Sequence, residues 1–493
     1  MAIEMIHREE LEIPRIPDKF EERYEMVNNL VRNLREKREE MKIIGAIEIG
    51  TPLWVGEKEF EQLELCFDYL LGPEKGGYVE GKPFGAMGSE KAYDLPFVTT
   101  ARFDLTAFLA GNPVLLRYSS QNPETAKLMK KVLKDSYLKG IKIVEGLSGK
   151  KFVEYCLNHP RIRFLTIAGS GRRLVEYKGK ILAAIEKGKL EKFIGFGSGG
   201  FTPGIVTEYA DIDDPELMTS IFYNAVGNSG QYCVSTRLLL VPSKIYKKFI
   251  GNLKEMLEEK VYKEGKVGNP LDPDTFIGPV LNIEVLDASL KGIRKLKKRE
   301  AKNVLEGYLR KMVAKFTNGF YDFKVWGGEI KDIRDVEGIE KYGFLDAIKD
   351  VHGKDIVEKA KFFYPAFVEL GIDQDPPYFI NGKFVDAFGP ITFIKKVKDV
   401  EHAVKVACKS PCGLVARIYD GDEEMKEKFS KKLEENYAIV IWDGRKLLSE
   451  MPPDVFGSKK LYSGFIIERG YDGGIIKSES RAFIPAEEYV RRG

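Results

Sequence analysis

The sequence predicts an α/β protein whose parallel sheet carries helices on both faces. Three observations predict it. Between Pro83 and Lys187, short apolar runs alternate with amphipathic helical stretches. Beyond Asp213 the same alternation resumes and continues to Trp442. The chain has 493 residues, 43% hydrophobic and 31% charged, enough for two domains with separate cores.

The elements follow in order. Pro17 to Met41 is a charged amphipathic helix with one apolar stripe, and Glu57 to Leu71 is a second helix, closed by Gly72-Pro73. Val114–Tyr118, Ile141–Glu145 and Ile162–Ile167 read as strands. Pro123–Leu138, Lys150–Leu157 and Arg172–Lys187 read as the helices between and after them. Sheets of this kind bind nucleotides beyond the carboxyl ends of their strands. Further on, Pro242–Lys260 is helical, and Phe363–Leu370, Ile391–Ile394, Val415–Tyr419 and Ala438–Trp442 are strands. Asn282 to Lys315 is strongly charged and helical, and its basic face reads as solvated.

Composition excludes several classes. A net charge of +3 gives no case for nucleic acid or an anionic membrane. No apolar run is long enough to span a bilayer, and Met1 to Arg15 is too charged for a signal peptide. The five cysteines are scattered and read as reduced thiols of a cytoplasmic protein. No ligand spacing for a metal appears among Cys408, Cys412 and the four histidines. Abundant Lys and Glu point to a thermophile.

One stretch carries the chemistry. A helical pattern from Asp213 ends at Gly227-Asn228-Ser229-Gly230, and a buried strand runs from Arg237 to Pro242. Cys233 falls at the corner between them, where side chains are presented rather than packed. A lone cysteine is most often a small core hydrophobe. Gly195-Phe196-Gly197-Ser198-Gly199-Gly200 has the G-x-G-x-x-G spacing, but the extended Phe201–Val206 follows where a helix is required, so a phosphate loop is rejected.

N-S-G-Q-Y-C-V-S-T-R over Asn228–Arg237 resembles the nucleophile segment of the aldehyde dehydrogenase superfamily. Further matches fall in the family's order. They are Gly50-Thr51-Pro52, Ala110-Gly111-Asn112, Gly169-Ser170, Gly199-Gly200 before Pro203, Gly268-Asn269-Pro270-Leu271, Ile277-Gly278-Pro279 and Phe388-Gly389-Pro390. The resemblance implies an aldehyde dehydrogenase-like fold: a Rossmann-type cofactor domain, an α/β catalytic domain and a small oligomerisation arm. It puts the NAD(P)-binding domain at 1–204, with a short arm near 72–82. The catalytic domain is 205–456, with a charged insertion near 295–361, and 457–493 is a C-terminal return and arm. It implies a homodimer or homotetramer.

The implied reaction is NAD(P)-dependent oxidation of a small aldehyde through a thiohemiacetal and a thioester on Cys233. Two positions depart from the family. Asp94 stands where the family has the asparagine that helps hold the oxyanion. A carboxylate only accepts hydrogen bonds, so Asp94 serves there only if protonated, and burial and a nearby thiolate would favour that. Gly197 stands where the family has its general-base glutamate. The missing base favours acyl transfer to coenzyme A, or the reverse reduction of an acyl thioester. The alternative is a catalytically weak member kept for binding or assembly. For the cofactor, the resemblance implies Arg117, Ser120, Gly169, Ser170, Gly199, Asp386 and Phe388. Arg117, and a Ser120 in place of a carboxylate, lean towards NADP over NAD.

Overall fold

The structure, a computed structural model, describes residues 11–72, 83, 85–169, 177, 179–180, 193–198, 200–281, 323–371, 373–376, 379–380, 383–384, 389–445, 455–457 and 467–469. Two parallel sheets organise them. The first has five strands: β1 (Ala86–Glu90), β2 (Val114–Arg117), β3 (Ile141–Ile143), β4 (Ile162–Gly169) and β5 (Phe193–Ser198). Their order is β3-β2-β1-β4-β5, all parallel. β2 and β4 are mostly apolar because both faces are covered, whereas β1 (Ala-Met-Gly-Ser-Glu) and β5 (Phe-Ile-Gly-Phe-Gly-Ser), which the sequence did not mark as strands, carry small and polar residues. On one face pack α1 (Phe20–Glu36), α2 (Arg38–Ile49), α3 (Leu53–Leu71) and α4 (Pro123–Asp135), burying Val27, Leu30, Phe60, Phe67, Met129 and Leu116 together. On the other, α5 (Gly149–Asn158) packs Phe152, Val153 and Cys156 against Leu115 and Leu165.

The second sheet has seven strands. They are β6 (Thr202–Val206), β7 (Thr236–Pro242), β8 (Phe323–Gly327), β9 (Ala366–Leu370), β10 (Ile391–Val397), β11 (Val415–Tyr419) and β12 (Ile439–Ile441). The order is β12-β11-β6-β7-β10-β9-β8, with only the edge strand β8 antiparallel. Helix α6 (Pro215–Val226), capped by Asp214 accepting from the Glu216 N–H, and α7 (Tyr246–Leu257) cover one face. The doubly covered α/β architecture expected from the alternation is the one observed. The helical expectation over 172–187 and the arm near 72–82 lie almost wholly outside the described residues. Residues 323–361, inside the stretch read as a surface insertion, supply β8 and bury Ile333, Phe344 and Ile348 in the core. His352 also reaches the Ile47 carbonyl at 3.1 Å.

One buried pair fixes the segment that follows β1. Lys91 Nζ lies 2.8 Å from Asp104, both essentially without exposure, and also donates to the Thr99 carbonyl at 3.0 Å. Burial pushes the Asp104 carboxyl up, while Lys91 opposes the shift. The pair spans the chain on either side of Asp94–Pro96. Removing one partner leaves an uncompensated buried charge. Lys91→Met is therefore expected to destabilise the fold by about 3–5 kcal/mol in denaturant unfolding. A change within experimental scatter would show that the pair contributes nothing net.

Candidate active site

Cys233 sits where the sequence placed it, in the turn between α6 and β7. The turn is strained: Asn228, Ser229 and Gly230 have φ of 51°, 53° and 63°. Left-handed backbone costs an L-residue roughly 1–2 kcal/mol. Tertiary contacts hold it. Ser229 Oγ donates to the Gly278 carbonyl at 2.7 Å. Gln231 Nε2 donates to the carbonyls of Ile49 and Asn228 at 3.3 Å. The Gly389 N–H donates to the Gly230 carbonyl at 3.2 Å, and the Arg237 guanidinium donates to the same oxygen.

The glycines of the scattered motifs are where backbones touch. A Cβ on Gly230 would lie 2.3 Å from the Gly389 carbonyl oxygen. One on Gly278 would lie 1.9 Å from that of Gly50, and one on Gly50 would lie 2.1 Å from that of Pro279. Gly200 approaches the nucleophile itself: its Cβ would meet the Cys233 carbonyl oxygen at 2.1 Å. Asn112 and Asn269 have structural partners. The first accepts from the Gly85 N–H, and the second donates to the carbonyls of Gly338, Ile339 and Lys341.

Cys233 is partly exposed, at the edge of a cluster containing Val55, Tyr232, Val234 and Leu414. A small cleft opens beside its neighbours, lined by Trp54, Lys58, Tyr223, Tyr232, Val234 and Arg417 among others. Asp94 is brought to the cysteine as the ungapped alignment implied, buried at 7% exposure. Its carboxylate accepts from the Cys233 backbone N–H and from its own. Asp94 thus engages a backbone donor next to the sulfur. Burial raises the Asp94 carboxyl from 3.8 to about 6 against both hydrogen bonds, with no thiolate contribution.

Sequence reasoning missed two residues. The Tyr232 hydroxyl donates to Glu59 Oε1 at 2.5 Å. Glu59, on α3, is partly exposed at its edge and otherwise enclosed by protein. Burial, and then the charge of Asp94, raise its carboxyl to about 7 although the Tyr232 hydrogen bond lowers it. Burial likewise lifts the Tyr232 hydroxyl well above its usual range, with Glu59, Asp94 and Cys233 all contributing.

The other half of the site is the end of the first sheet. Strand order reverses beside β1, so a crevice forms beyond the carboxyl ends of β1 and β4, at Glu90 and Gly169. Arg117 ends β2 there. It is buried, its Nε donates to the Leu147 carbonyl at 2.8 Å, and Nη1 lies 3.6 Å from Glu90. Ser120 is exposed.

The sequence profile of the aldehyde dehydrogenase family matches residues 17–322. The chain belongs to the aldehyde dehydrogenase family. It is an NAD(P)-dependent oxidoreductase acting on aldehydes. Similar solved structures include glyceraldehyde-3-phosphate dehydrogenase GapN from Methanocaldococcus jannaschii, complexed with NADP. It shares 22% identity over 95% of this chain and 90% of its own, with a TM-score of 0.67. Betaine aldehyde dehydrogenase from Staphylococcus aureus, in complex with NAD+, shares 18% identity over 92% and 80%, with a TM-score of 0.70. An E. coli NADP dependent enzyme shares 20% over 92% and 83%, at 0.69. At these identities the likeness speaks to the fold.

A nicotinamide dinucleotide fits this aldehyde dehydrogenase. At the strand-order reversal Gly169 is half-buried and Ser120 is exposed. Gly149 opens α5 beside Glu90, where a Cβ would lie 1.9 Å from Oε1. Arg117 is less available than expected, because Leu147 and Glu90 hold it inside. Ser170, Gly199, Asp386 and Phe388 lie outside the described residues.

Asp94 yields a pH prediction with a definite sign. Its folded value, about 6, lies above the unfolded one, 3.8. Stability conferred by the protonated form is therefore complete at low pH and lost as the pH rises from the unfolded value to about 6. Asp94→Asn should flatten that decline in unfolding free energy measured across pH 4–7. It should also retain or raise kcat, since an amide donates to an oxyanion where a carboxylate cannot. A fall on the order of a hundredfold would instead show that the carboxylate is required.

Proposed function

We propose that this enzyme oxidises a small aldehyde by addition of the Cys233 thiolate to its carbonyl carbon, leaving an acyl thioester. The observation that supports this best is the partly exposed Cys233 on a strained turn that three separate segments clamp. Thiolate chemistry suits the position, because a thiol is the strongest nucleophile available near neutral pH. The bound nicotinamide supplies the hydride acceptor. The chain's own part is to aim Sγ, to keep the approach narrow at Gly200, and to hold Asp94 against the Cys233 N–H. In its protonated form Asp94 can donate to the oxygen on which charge develops.

The acyl group leaves to water or to coenzyme A. Gly197 brings no ionisable side chain, and a thiol attacks a thioester with less assistance than water needs, which supports coenzyme A as an acceptor. Run backwards, the same site reduces an acyl thioester. Incubation with a panel of aldehydes, either nicotinamide dinucleotide, and coenzyme A present or absent is expected to give reduced-nicotinamide absorbance. Cys233→Ala should abolish it. Absence of turnover in every mixture would overturn this reading in favour of a binding or assembly role.

We also propose that NADP is accepted at least as well as NAD, because exposed Ser120 offers no negative charge to a 2′-phosphate. Ser120→Glu should then raise the KM for NADP on the order of fivefold relative to NAD, the effect of like charges about 4 Å apart in water. An unchanged ratio would place the adenosine ribose elsewhere.

A further inference from the structure

Gly197, on β5, brings no ionisable side chain, and Asp94 is occupied by the Cys233 N–H. A second carboxylate is tied to the residue that precedes the nucleophile. Glu59 enters from α3, and the Tyr232 hydroxyl fixes its Oε1 at 2.5 Å, one residue before the nucleophile. Glu59, Asp94 and Cys233 all act electrostatically on Tyr232, so the three acidic groups lie within range of one side chain. Lys58, next along the helix and on the wall of the cleft, pairs with Glu61 at 2.8 Å.

We propose that Glu59, oriented by the Tyr232 hydroxyl, is the base that takes the proton from the water attacking acyl-Cys233. The inference rests on Cys233 being the nucleophile. In the step, water oxygen bonds to the acyl carbon as its O–H bond breaks, and that proton passes to a Glu59 carboxylate oxygen. The C–S bond then breaks and its electron pair returns to Sγ as thiolate. The carboxylic acid departs and ionises in solvent, and Glu59 releases its proton to water. No oxidant or reductant takes part.

The surroundings suit the role. A base is most effective when its pKa lies near the working pH. Burial and the Asp94 charge bring Glu59 to about 7, so a large fraction is ionised at neutral pH and still basic enough to accept a proton. Tyr232 donates to the carboxylate and steadies its charged form.

The test needs no dinucleotide. p-Nitrophenyl acetate acylates a reactive cysteine and releases p-nitrophenolate, so a burst reports acylation and the steady rate reports release of the acyl group. Wild type should show a burst and a steady rate that rises with pH to a midpoint near 7. Glu59→Gln should keep the burst, lower the steady rate by a hundredfold or more and lose the midpoint. Tyr232→Phe should move the midpoint upward, and Asp94→Asn should move it downward, because each alters the charge environment of Glu59. Thermal unfolding checks that the variants are folded. A Glu59→Gln steady rate and pH profile like the wild type would overturn the proposal, and so would an unmoved midpoint in Tyr232→Phe. No burst in wild type would instead overturn Cys233 as nucleophile, a separate outcome.

Discussion

The site depends on one knot of backbone. Three successive residues, Asn228 to Gly230, take left-handed conformations that an isolated chain would avoid. The Gly278 carbonyl and the Gly389 N–H lock Ser229 and Gly230, and the Ile49 carbonyl holds Gln231 beside them. The glycines at 50, 230 and 278 permit this because each meets a neighbouring carbonyl oxygen at a distance no Cβ tolerates. Motifs dispersed over most of the chain thus have a single physical purpose. They hold a turn that cannot hold itself, and with it the direction of one sulfur.

Around that sulfur the dominant force is desolvation. Asp94, Glu59 and Tyr232 are all shifted upward chiefly by burial, and the hydrogen bonds they receive or make do not cancel it. The two carboxyls, fully ionised in neutral water, are brought towards neutral pH, where proton transfer is easiest, while the Tyr232 hydroxyl is moved the other way and stays a neutral donor. The contact between Asp94 and the Cys233 N–H adds a conflict. It satisfies a backbone donor in the resting enzyme and competes with any oxyanion for it. Protonation of Asp94 is the change that would turn the competitor into a donor.

The cofactor end of the molecule shows the opposite economy of charge. Arg117 and Glu90 sit near each other, and Lys91 pairs with Asp104 at 2.8 Å, both beside the carboxyl ends of the strands. Buried charges need partners, and these have found them within the protein. The crevice is therefore shaped by internal ion pairs, and half-buried Gly169 and exposed Ser120 are left at its edge. An arginine at a strand end looks available to a phosphate in one dimension. In three dimensions the Leu147 carbonyl has already claimed its Nε.

The sequence by itself determined most of the periodic elements, the two-sided sheets and the nucleophile turn, though not the strands Ala86–Glu90, Phe193–Ser198 and Phe323–Gly327. These are local, or depend on backbone restrictions that glycine and proline announce. Tertiary structure alone decided the rest. Glu59 is separated from Tyr232 by 173 positions and sits in a helix rich in charge, where it reads as one more solvated residue. Residues 323–361 look like a charged excursion, yet contribute an edge strand and buried aromatic and aliphatic groups. Burial and long-range pairing set both outcomes, and neither leaves a periodic trace along the chain. A pattern records which face of an element is apolar; it cannot record which distant side chain that face will meet.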